Sequence, residues 1–157
     1  MKTALLLIFA FSMVAPQHSW ADKIAEALSE SSKKICTAKY DALAKSDQIK
    51  AKKIDASGDK NLIINVCLAR SFNASRKCTE DFLAKAAPAV KGLKDPEAIQ
   101  AEMKKLKPDQ EACLRSAHDG AMADSEILFD LYGKGRQAEG KAVVDLWIKD
   151  GSAKISN

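Results

Sequence analysis

His118 and Asp119 are the one place in this chain where side chains stand as proton-transfer chemistry needs them. An imidazole titrates near neutrality, and a neighbouring carboxylate can orient it as a general base. The sequence holds two histidines, and the other, His18, falls in a stretch that reads as a removable leader. No G-x-S-x-G turn or similar nucleophile motif accompanies the pair. The second chemically capable set is Cys36, Cys67, Cys78 and Cys113. Zinc would want two of them at C-x₂₋₄-C spacing with further ligands. No such spacing occurs, and a single histidine is left to help, so no metal site is expected. An even number of cysteines in a small exported chain predicts two disulfides instead, because that compartment oxidises thiols.

The run Cys113-Leu114-Arg115-Ser116-Ala117-His118-Asp119-Gly120 resembles the small secreted bacterial and fungal phospholipases A2, helical proteins with two disulfides. They carry a cysteine, an arginine and a His-Asp pair close together on a helix. The resemblance implies that His118 activates water and Asp119 holds calcium. It covers this run alone. Ser116 and Ala117 separate the arginine from the histidine where the family has nothing between them, the aromatic and asparagine that follow in the family are missing, and no Gly-rich calcium loop is visible. A surface histidine near a helix end accounts for His118 without any chemistry. The reading of the residues is therefore a non-enzymatic protein with no catalytic residue, cofactor or metal, and the calcium-dependent hydrolase is the least favoured alternative.

Which elements hold these residues follows from the ends inward. Met1-Lys2, an apolar run from Ala4 to Ala15, and Ser19-Trp20-Ala21 make the basic, apolar and small-x-small parts of a secretory signal, with cleavage expected after Ala21. The run is shorter than the roughly 20 apolar residues of a spanning helix, and no second one follows. Residues 22–157 then form a single domain in the secreted or periplasmic space, with no transmembrane segment. Large rings are few, so the core must come from Leu, Ile, Val and Ala, and alanine also favours helix. Lysines are scattered among acids, with a formal net charge of +4. A nucleic-acid partner would call for a concentrated basic stripe, and none is present.

Apolar residues recur at three- and four-residue steps along most of the chain, which predicts an all-α bundle of about five to six helices. Ile24, Leu28, Ile35, Ala38 and Ala42 mark the first helix, from Asp22 to about Lys45, with Asp47 to Ile54 a candidate extension. Ser57-Gly58-Asp59 breaks it. A second runs from Lys60 to Phe72, although Leu62-Ile63-Ile64 could also be a buried strand. Asn73-Ala74-Ser75 reads as a turn, with Ser75 capping a helix that carries Cys78, Phe82 and Leu83 and ends near Pro88 or Gly92. Asp95-Pro96-Glu97 opens another, expected to stop before Pro108. Pro108 then begins one that carries Cys113 and is interrupted at Asp119-Gly120. Asp124 or Ser125 caps a further helix closed by Gly133 and Gly135. Gln137 to Lys149 is the last, and the tail after Gly151 is expected to fray.

Two stretches echo one another. Cys36-Thr37 with Tyr40 and Ala42 parallels Cys78-Thr79 with Phe82 and Ala84, and Val66-Cys67-Leu68 parallels Ala112-Cys113-Leu114. Two related helical hairpins account for this, as does chance in a chain rich in Ala and Lys. If the hairpins are real, the preferred pairing is Cys36–Cys67 with Cys78–Cys113. Cys67–Cys78 with Cys36–Cys113 is the rival, and spacing does not choose between them.

Four other features could carry function. Asn73-Ala74-Ser75 is an N-glycosylation acceptor pattern and equally a plain turn. Lys50, Lys52 and Lys53, and Lys104, Lys105 and Lys107, could meet anionic lipid or an acidic partner, or simply solvate helix faces. Val143, Val144, Trp147 and Ile148 could line a ligand cavity, dock on a partner, or close the core. The favoured expectation is a binding protein carrying a small apolar ligand between its helices. The alternative is an extracellular interaction or effector protein that meets a protein partner through an exposed helix face.

Overall fold

A computed structural model describes residues 18–153 of the chain, with side chains from residue 30 onward. Most of the leader expected over residues 1–21, and the last residues 154–157, lie outside that range. Five helices follow one another: α1 (His18–Ser46), α2 (Gln48–Ser57), α3 (Lys60–Val90), α4 (Pro96–Gly133) and α5 (Gln137–Lys149). No strand occurs among the described residues, and Leu62-Ile63-Ile64 is helical. No helix there is long and apolar enough to cross a membrane.

Local chemistry explains where the short helices begin and end. Asp47 leaves the helical region (φ −142°), and its carboxylate accepts from the Lys50 N–H. The stretch after α1 is thus a separate, capped helix and not an extension. Gly58 closes α2 at φ +78°, where a side chain would clash with its own backbone. Asp95 accepts from the Glu97 and Ala98 N–H groups, with Pro96 in the first turn, as its sequence signal predicts.

The long helices overturn three expected breaks. α3 runs straight through Asn73-Ala74-Ser75, and α4 through both Pro108 and Asp119-Gly120. The reason is tertiary. On α3 the positions turned away from solvent are Ile63, Cys67, Ser71, Ala74, Cys78, Phe82 and Ala86, a stripe that keeps its three- and four-residue steps across the expected turn. On α4 the equivalent set is Ile99, Met103, Leu106, Gln110, Cys113, Ala117, Ala121, Ser125, Leu128 and Tyr132. Pro108 and Gly120 both fall on its exposed side. There the carbonyl that Pro108 cannot satisfy is open to water, and packing on the opposite face outweighs the local propensity cost. Asp124 and Ser125 therefore cap nothing; Ser125 Oγ donates instead to the Ala121 carbonyl at 3.1 Å.

α3 and α4 lie antiparallel, joined along their length by Arg70–Asp124, Cys78–Cys113 and Lys85–Asp109. At one end they meet α1, α2 and α5 to form a head. Its core is built from Cys36, Tyr40, Ile54, Ile63, Val66, Cys67, Leu128, Phe129, Tyr132 and Val144, with Ala153 also fully buried. The rings of Tyr40 and Phe129 meet edge to face at 5.7 Å. α5 can approach α4 because residue 140 is glycine: a Cβ there would stand 2.4 Å from Cε2 of Tyr132. From Cys78 outward on α3 and up to Cys113 on α4, the two helices continue as an arm reaching about 18 Å past the staple at 1.5 Å per residue. The disulfides are Cys36–Cys67, tying α1 to α3, and Cys78–Cys113, tying α3 to α4, with Cα atoms 5.9 and 5.8 Å apart. The two hairpins suggested by the sequence echo thus share one continuous helix, α3.

Candidate interaction surface

The chemistry imagined at His118 needs partners around its ring. His118 is half-buried on α4, and Asp119, the next residue, is exposed. Consecutive helical residues do not face one another. Among the described residues no hydrogen bond or ion pair reaches His118. Calcium takes six to eight oxygens, yet no group of three or more metal-binding side chains gathers among the described residues. Asp119 lies instead on an outer row with Glu111 and Arg115, beside Pro108, Ala112 and Ser116. These six line an open, shallow depression supplied by α4 alone. The residues do not fit a calcium site.

Other singled-out positions have structural surroundings. Asn73 lies inside α3, and its Nδ2 donates to the carbonyls of Gly151 and Ser152 at 3.4 and 3.1 Å. The glycosylation pattern is therefore in a helix whose asparagine holds residues 151 and 152, not in a turn. Val143, Val144 and Trp147 pack on the core, while Ile148 is exposed, so the four do not act as one patch. Of the tail expected to fray after Gly151, Ser152 and Ala153 are hydrogen-bonded and residues 154–157 lie outside the described range. The Ala153 N–H donates to the Trp147 carbonyl at 2.8 Å, and Ser152 Oγ accepts from Arg70.

Arg70 escaped the sequence reading. Its guanidinium lies 4.3 Å from the centroid of the Trp147 ring and also binds Asp124 and Ser152. Those partners stand 54 and 82 residues away. The only local signal was one cation set in the apolar run from Leu62 to Phe72. Lys50 likewise drops out of its basic cluster: it reaches Asp130 at 2.7 Å and Asp47 at 3.3 Å. Hydrogen bonds from Lys134 and then Lys50 hold the Asp130 carboxyl down at about 2. Lys105 and Lys107 pair with Glu102 and Glu111.

Apolar side chains stay exposed on the head, with Ile49 at 74 % and Leu146 at 63 %, and on the arm as well. Leu83 is 49 % exposed and Leu93 38 %. Phe82, Val90, Met103 and Leu106 are only half-buried, because two helices cannot enclose their own shared face as five do in the head. Its ion pairs, such as Lys85–Asp109 at 3.5 Å and Lys107–Glu111 at 3.4 Å, are solvent-exposed and contribute about 0–1 kcal/mol each. The exposed Leu83 side of this hairpin is the candidate surface. Comparison with known protein families, curated proteins and solved structures yields no match to this chain.

Proposed function

We propose that this chain is an exported, non-enzymatic interaction protein that engages a protein partner through the exposed side of the α3–α4 arm. One observation carries the reading: the head's exposed Ile49, Ile127 and Leu146 surround a core closed by five helices, whereas the arm leaves the shared face of its two helices (Phe82, Val90, Met103 and Leu106) half-covered beside the exposed Leu83. Apolar side chains at helical spacing are the anchors by which a helix enters a partner's groove. The leader pattern and the two disulfides support action outside the cytoplasm. A carrier of small apolar ligands would need an enclosed space between helices, whereas the depression on α4 is open and belongs to one helix.

Site-specific photo-crosslinking tests this. A crosslinker at position 83 should join the protein to a discrete partner in its native compartment, and one at Lys149 on the head should not. Leu83→Asp should weaken binding of that purified partner by at least about tenfold, the scale of an interface anchor, with its melting temperature unchanged. Equal products from both positions, or undiminished binding by Leu83→Asp, overturn the proposal. Delipidated protein that gains several degrees of thermal stability from a fatty acid would move the assignment to the carrier.

A further inference from the structure

The two disulfides sit in different surroundings. Cys36 and Cys67 are each 1 % exposed and belong to the head core, between α1 and α3. Cys78 is 4 % exposed but stands outside that core, and its partner Cys113 is only half-buried. Around the second pair lie half-covered side chains of the arm such as Phe82, Met103 and Leu106, so the contacts between α3 and α4 there are less buried than those of the head. Thiol–disulfide exchange requires a thiolate to reach a sulfur, and regions with few buried contacts open at low free-energy cost. We infer that Cys78–Cys113 is a redox-addressable latch, opened by a dithiol reductant while Cys36–Cys67 and the head stay intact.

The exchange runs through Cys113, the more accessible end. A thiolate of the reductant attacks Cys113 Sγ, a mixed disulfide forms, and Cys78 leaves as a thiolate that takes up a proton. The reductant's second thiol then attacks its own sulfur in the mixed disulfide and releases Cys113, which is also protonated. Two electrons pass to the cysteine pair, and the reductant ends as its internal disulfide. The outer turns of α3 and α4 are then free to separate, uncovering Phe82, Met103 and Leu106. The latch stands whether or not the arm binds a partner.

Graded dithiothreitol treatment of the full oxidised chain, with trapping by two mass-distinct alkylating tags before and after complete reduction, tests the inference. Cys78 and Cys113 should be tagged first, at a rate at least about tenfold above Cys36 and Cys67. Hydrogen exchange at that stage should show the Ile63–Cys67 and Leu128–Tyr132 amides still protected. The double variant Cys78→Ser/Cys113→Ser should show the same protected head without any reductant. Simultaneous tagging of all four cysteines, earlier tagging of Cys36 and Cys67, or loss of head protection when the arm pair opens would each overturn it.

Discussion

Two glycines inside helices behave oppositely because of what surrounds each. Gly140 lies against the Tyr132 ring, where a Cβ would come within 2.4 Å of Cε2, whereas Gly120, inside α4, has nothing within 4 Å. Gly140→Ala should destabilise the fold by about 1–3 kcal/mol through overpacking. Gly120→Ala should stabilise it by about 0.5–1 kcal/mol through helix propensity. Urea unfolding of the pair checks both signs. Titration makes a second residue-level statement. Burial, and then the nearby Asp55 carboxylate, push the Tyr40 hydroxyl from 10.0 up to about 12. A folded value above the unfolded one means that the unfolded chain loses its proton first. The stabilisation is whole below pH 10 and is lost as pH rises towards 12. Tyr40→Phe should flatten the fall in stability over that interval. Asp130 works at the other end of the scale. Its lowered value places its contribution above about pH 4, to be lost as pH falls towards 2, and Asp130→Asn should remove that acid-side slope.

Helices in this chain are stopped by caps and continued by faces. Asp95 was readable as a cap because carboxylate, proline and acid stand in consecutive positions, and the same reading failed at Asp124-Ser125 because a buried stripe ran on through them. Asp95→Ala should cost about 1 kcal/mol and show first as faster hydrogen exchange at Glu97 and Ala98. Arg70 of α3 ties α4, α5 and the segment after α5 together through one side chain. Arg70→Leu removes its contacts with Asp124, Ser152 and the Trp147 ring and should cost about 1–3 kcal/mol. Lost protection at residues 150–153, measured against an unchanged α1, is the readout. No window of sequence shows that clamp, since its members come from α3, α4, α5 and the segment just after α5.

Across the molecule, stability should be graded from head to arm. The head holds nearly all the fully buried side chains, and the arm holds a disulfide and half-covered apolar ones. Amide exchange should therefore be slowest in Ile63–Cys67 and Leu128–Tyr132 and measurably faster in 85–105, with intermediate opening confined to the arm. Each disulfide closes a loop of about thirty residues and should add about 3–4 kcal/mol by restricting the unfolded chain. Apolar periodicity by itself determined that the protein is helical, and the cysteine count by itself determined that it is cross-linked, because both are properties of residue type and spacing along one chain. Tertiary structure alone decided that α3 and α4 pass through a turn pattern, a proline and an Asp-Gly pair. It alone decided which cysteines meet, that no hydrogen bond or ion pair among the described residues reaches His118, and that Leu83 is left open. Those outcomes depend on which faces meet across tens of residues, and the energy of that meeting exceeds any local preference written into the stretches it overrides.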